Sequence, residues 1–96
     1  MDTTALRASL AAATPPAGLA PALAALWWDG RGEWERAHAI VMGESEPDAA
    51  WVHGYLHRKE GDLANARYWY GEAGRTMPEG PPDTEWEAIA ATLLAR

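Results

Sequence analysis

His53 and His57 stand four residues apart, and Glu60 follows at the next turn. On a helix this spacing places all three on one stripe, because residues three and four apart are surface neighbours. Two imidazoles on a stripe have the spacing of metal ligands. The set would be completed by a carboxylate from Glu60 or Asp62, or by a third imidazole from His38. The plainer alternative is that each histidine bonds a buried carbonyl or carboxylate inside a packed helix pair. The glutamate that a zinc protease carries between its paired histidines is missing here. No metal and no cofactor is therefore nominated.

Arg58, Asp62, Asn65 and Arg67 gather around the glycine at position 61. Asp62 suits the N-cap of a following helix, and a cation at Arg58 or Lys59 suits the last turn of the preceding one. Asn65 is less easily explained, since an amide early in a helix has poor propensity and usually bonds something. Tyr68, Trp69 and Tyr70 point three ways around a helix, so at least one ring should reach a groove or surface. The expected ligand-binding set is His38, His53, His57, Arg58, Asn65, Tyr68 and Trp69, lining a polar and aromatic groove beside the Gly61-Asp62 turn. The same residues could instead form a buried hydrogen-bonded lock.

No catalytic residue is nominated. Ser9 and Ser45 lack a base partner in any recognisable motif, and no glycine-rich phosphate cradle is present. A histidine acting as general base beside Asn65 and a tyrosine hydroxyl is the enzymatic alternative. The net charge of -6, with Arg58-Lys59 the one basic pair, argues against nucleic acid, which requires a clustered basic face. The absence of cysteine fits a reducing compartment, so a cytoplasmic location is expected. The alanine-rich N-terminus is broken by Pro15, Pro16, Gly18 and Pro21, which excludes an export signal or a membrane span and leaves no membrane partner expected.

Elements must be found that hold these side chains. Six tryptophans, abundant alanine and leucine, and no phenylalanine favour helix over strand. Breakers at Gly30 to Gly32, Pro47, Gly61 and Pro78 to Pro82 predict helices at about 20 to 29, 33 to 44, 48 to 60, 63 to 76 and 84 to 95. Asp48, Asp62 and Asp83 or Thr84 are their expected N-caps. A further short helix is expected with Thr3 or Thr4 as its cap, running to about Ala13. The result is an all-α fold of five or six short antiparallel helices. Residues 1–96 form a single domain, with an N-terminal helix and proline-rich break at 1–17, two helical hairpins at 18–78, and a proline-rich loop and C-terminal helix at 79–96.

Gly32, Trp34 and Ala37 recur 29 residues later as Gly61, Leu63 and Ala66. Gly54, Ala66, Tyr70, Ala73 and Pro78, with the Gly61-Asp62 turn, then resemble the tetratricopeptide pattern of small residues, aromatic and terminal proline. The resemblance, tetratricopeptide-like or Sel1-like, covers about residues 20 to 78 and implies stacked helical hairpins. It departs from the pattern in its shorter period and in His53 and His57. The string HRKEGD, with NARYWY after it, also resembles a group of small bacterial proteins, a likeness that brings no activity with it. The function expected is a helical-repeat binding module for a protein, peptide or small ligand. The alternative is a small metal-dependent or histidine-based enzyme. A homodimer formed through exposed tryptophans is a third class.

Overall fold

Two glycine turns of one design set the course of the chain in the computed structural model, which describes residues 1–96. Gly61 has φ 89°, a left-handed conformation that glycine adopts without steric cost. Its N–H donates to the Arg58 carbonyl at 3.2 Å while the Asp62 N–H donates to the His57 carbonyl at 3.0 Å. This is a Schellman stop. Gly32, 29 residues earlier, repeats it with φ 79° and the bonds Gly32 to Asp29 and Glu33 to Trp28.

Six helices and no strand result: α1 (Thr3–Ser9), α2 (Pro21–Gly30), α3 (Trp34–Val41), α4 (Pro47–Glu60), α5 (Leu63–Glu72) and α6 (Asp83–Leu94). The all-α class is as expected from composition and breakers. Boundaries differ for local reasons. Pro47 occupies the first turn of α4, where its missing N–H costs nothing, so Glu46 rather than Asp48 is the N-cap. The Asp48 carboxylate instead pairs with Arg96 at 2.9 Å. Pro82 is likewise the N-cap of α6, which displaces the expected Asp83 or Thr84 cap. Asp62 does cap α5, accepting from the Asn65 N–H at 3.3 Å. α5 stops at Glu72 because Gly74, at φ 72°, repeats the Schellman turn. No helix is long and apolar enough to cross a membrane.

Cross-turn contacts between α4 and α5 join His57 to Asn65, Gly54 to Tyr70 and His53 to Trp69. Partners that recede symmetrically from Gly61 are the signature of antiparallel packing across a short connection. Gly54 marks a close approach of the two helices. A Cβ there would lie 2.8 Å from Tyr70 Cδ2 and 3.1 Å from the Tyr70 backbone nitrogen. Ala37 and Ala66, the matching small residues of α3 and α5, are both fully buried.

α4 runs through the centre. Every residue from Ala49 to Arg58 is buried, with α2, α3, α5 and α6 all packed around it. The core is one cluster of buried side chains drawn from all six helices. A helix enclosed on every side is normally apolar all round. α4 instead carries His53, Tyr55, His57 and Arg58 into the interior, and each must find a partner there.

α1 is anchored more firmly than Leu6 and Leu10 alone would achieve. The Trp27 indole donates to Ser9 Oγ at 2.9 Å, Arg31 bonds the Leu10 and Ala12 carbonyls, and Arg7 pairs with Glu87.

Candidate functional site

The three histidines meet where α3 crosses α4. Their ring centres form a nearly equilateral triangle: 4.9 Å from His38 to His53, 4.9 Å from His53 to His57 and 5.1 Å from His38 to His57. His53 Nε2 faces His38 Nε2 at 3.2 Å. His53 and His57 are 4% and 6% exposed, whereas His38 is half-buried and opens the cluster to solvent.

Two indoles sandwich this triangle. Trp34 stacks on His38 at 4.8 Å with an interplanar angle of 12°, and Trp69 stacks on His53 at 4.1 Å and 14°. Trp34 also meets His57 edge-on and donates its indole N–H to the Leu56 carbonyl at 2.8 Å, which fixes α3 to α4. Tyr68 continues the series on the outside, T-shaped against Trp69 at 5.0 Å and 57% exposed. Its hydroxyl pKa is raised by a hydrogen bond to Glu72.

Asn65 closes the cluster on the α5 side. Its position follows from the cap: the Asp62 carboxylate holds the Asn65 backbone, and the side-chain amide is then shared between Asp62 Oδ2 at 3.4 Å and His57 Nε2 at 3.3 Å. An amide N–H donating to Nε2 leaves the His57 proton on Nδ1. Glu60 Oε2 lies 3.4 Å from that atom, near enough for electrostatic attraction but outside hydrogen-bond geometry. His53 Nδ1 also has no partner. In the whole chain these two imidazole nitrogens are the buried side-chain polar atoms left without a hydrogen bond.

Electrostatics favour the neutral forms of His53 and His38. Burial is the main force lowering the His53 pKa, to about 4, and the neighbouring His57 and His38 add to it. The His38 pKa is lowered chiefly by burial and then by His57, against an opposing pull from Glu60 and Glu35. Neutral imidazoles retain one lone pair each. Such a group can accept a hydrogen bond, take a proton or ligate a metal.

The structure thus brings together six of the seven residues expected at the site: His38, His53, His57, Asn65, Trp69 and, through Trp69, Tyr68. They form a packed stack of rings, with a surface cavity of about 400 Å³ alongside, bordered by Met42, Ser45, Tyr68 and Trp69. Arg58 is placed elsewhere. One helical position beyond His57, it turns to α6 and the loop before it, bonding Glu85 Oε1 at 3.0 Å and the Gly80 carbonyl. Tyr70 donates to the other oxygen of that carboxylate at 2.5 Å, so Arg58 belongs to a buried network that binds α4, α5 and α6 together. A second network on another face of α4 joins Tyr55 and Lys59 to the buried Asp29, at 2.8 and 2.9 Å. Burial and the adjacent carboxylates hold both tyrosines in the protonated donor form far above neutral pH.

Trp34 lies outside the expected set and joins the cluster through His38 and His57. The signal that points to it is its place four residues before His38, on the same stripe. No tryptophan is free on the surface: Trp27, Trp51 and Trp86 are buried, and Trp28, Trp34 and Trp69 are half-buried. Compared with family models, with curated proteins and with solved structures, the chain matches none.

Proposed function

We propose that this chain is a small helical binding module and that its recognition site is the imidazole, amide and indole cluster of His38, His53, His57, Asn65, Trp34 and Trp69. One observation carries the reading. Every other buried polar side-chain atom has a partner, including Arg58, Tyr55, Tyr70, Asp29 and Glu85, whereas the two orphans fall side by side in this cluster. An unmade hydrogen bond on a buried polar group costs about 1–3 kcal/mol. Local concentration of that cost at a functional site is expected when a bound group relieves it or uses the lone pairs.

The surroundings support the same view. Half-buried His38 gives access, the indoles supply stacking faces, and Tyr68 and Met42 extend an aromatic and thioether rim over the adjoining cavity. The twin Schellman turns 29 residues apart support a helical-hairpin repeat of the tetratricopeptide or Sel1 kind as its scaffold. A protein, a peptide or a small ligand is the class of partner.

The test is a two-dimensional ¹H–¹⁵N NMR screen of the isotope-labelled chain against fragment and peptide libraries. Binding should perturb the resonances of His38, His53, His57, Asn65 and the Trp34 and Trp69 indoles together. Perturbations confined to other faces, with this cluster silent, would overturn the assignment.

A further inference from the structure

We propose that the three-histidine cluster binds a divalent first-row transition metal of the zinc class, with His38, His53 and His57 as ligands and Glu60 as the carboxylate behind His57. This assignment rests on reading the cluster as the recognition site and names its ligand.

The distances fit. With Zn–N bonds of about 2.0–2.1 Å, two ligands of a tetrahedral site have nitrogens about 3.3–3.4 Å apart and imidazole centres about 5.2 Å apart. His38 and His53 already meet the first spacing at 3.2 Å, and all three ring pairs approach the second at 4.9 to 5.1 Å. One donor atom from each ring lies within 4.8 Å of the others, so closing the set to tetrahedral spacing needs a shift of up to about 1.5 Å, which a rotation of the His57 ring would supply. Asn65 permits that rotation: its amide already has a second acceptor in Asp62 Oδ2 and keeps it on releasing His57.

The outer contacts fit as well. A metal-bound histidine commonly presents its other N–H to a carboxylate, which orients the ring and raises its basicity. Glu60 Oε2, 3.4 Å from His57 Nδ1, occupies that place. Trp34 and Trp69 hold His38 and His53 by face-to-face stacking, so neither ring must be ordered on binding. His38 is the one half-buried ligand of the three, so a fourth ligand, water or a substrate carbonyl, would enter from its side, as in three-histidine sites with one open position.

The experiment uses the full chain, without a histidine tag and freed of metal by chelation. Co²⁺ titrated at neutral pH should produce the intense visible d–d absorption of a tetrahedral nitrogen site, saturating at one equivalent and bleached by Zn²⁺. His38→Ala changes a half-buried ring and should abolish the absorption while circular dichroism stays helical. Glu60→Gln changes an accessible side chain and should weaken binding about 10–100-fold. Absence of stoichiometric Co²⁺ and Zn²⁺ uptake by the wild-type chain, or unchanged uptake by His38→Ala, overturns the metal. Should the metal fail while fragments or peptides still perturb the cluster, the recognition site stands with another ligand. Silence in both experiments removes both.

Discussion

Replacing Gly54 by alanine should destabilise the protein even though alanine is the better helix former. The added Cβ would sit 2.8 and 3.1 Å from ring carbons of Tyr70 and 3.1 Å from its backbone nitrogen. Comfortable carbon contacts lie at about 3.5–4.0 Å. The ring cannot swing aside freely, because Tyr70 is buried and its hydroxyl is bonded to Glu85, which Arg58 holds in turn. The backbone nitrogen belongs to α5 itself. Relief therefore requires α4 and α5 to separate, an overpacking cost of about 1–3 kcal/mol and occasionally more. Alanine returns up to about 1 kcal/mol through helix propensity. Gly71 of α5 is the internal control, since a Cβ there meets nothing within 4 Å. Gly71→Ala should stabilise by about 0.5–1 kcal/mol. A net difference of about 2 kcal/mol between the two variants corresponds to roughly 8–16 °C in melting temperature for a chain of this size. Thermal unfolding followed by circular dichroism measures both. If alanine at 54 melts as high as alanine at 71, the close approach of α4 and α5 at this point is wrong.

Acid should weaken the metal-free protein in a defined window. His53 stays neutral in the fold down to about pH 4, while in the unfolded chain it takes a proton near 6.5, so stability falls as pH drops between those values and is flat above them. The full interval corresponds to about 3 kcal/mol, reduced to about 2 by solvent reaching the cluster past His38. Urea midpoints compared at about pH 7 and pH 4.5 test it, and His53→Gln should flatten the profile. Asp29→Ala removes the acceptor shared by Tyr55 and Lys59 and should cost about 1–3 kcal/mol; a change below 0.5 kcal/mol in chemical denaturation would contradict that role. Ala66→Leu, at a fully buried position, should cost about 1–3 kcal/mol, whereas Glu72→Ala on the exposed side of α5 should stay within about 0.5 kcal/mol. Equal losses would show that α5 does not present Ala66 to the core.

Local chemistry in the sequence marks what neighbours in sequence decide. Gly61 and Asp62 announce a stop and a start, and both act as read, because a left-handed glycine and a capping carboxylate depend on residues at most five away. Asp48 misleads because a proline one position earlier takes the first helical turn and moves the cap to Glu46. The histidine stripe on α4 is visible as an i,i+4 pair, and Asn65 as an amide where few belong. Arg58 could not be sorted from His57 by spacing alone. Its direction is set by Glu85, 27 residues on, and nothing local links them. The same holds for Tyr55 and Asp29, 26 residues apart, and for the indole partners of the imidazoles, which depend on how α3 crosses α4.

The enclosed position of α4 has a consequence for how the protein chooses one arrangement. An aliphatic rod surrounded by helices could settle at several angles about its own axis with little difference in buried area. α4 behaves more like an indexed shaft: Tyr55 and Lys59 engage α2, Arg58 engages α6, and the two imidazoles engage α3 and α5. Turning it by a single residue, about 100°, would aim the guanidinium at indoles in one sense, or the His57 imidazole at the buried Glu85 in the other, forfeiting several charged or neutral bonds at once. Polar side chains that add little net stability to the interior can in this way act as teeth, admitting one angular setting and holding the three imidazoles in register with it.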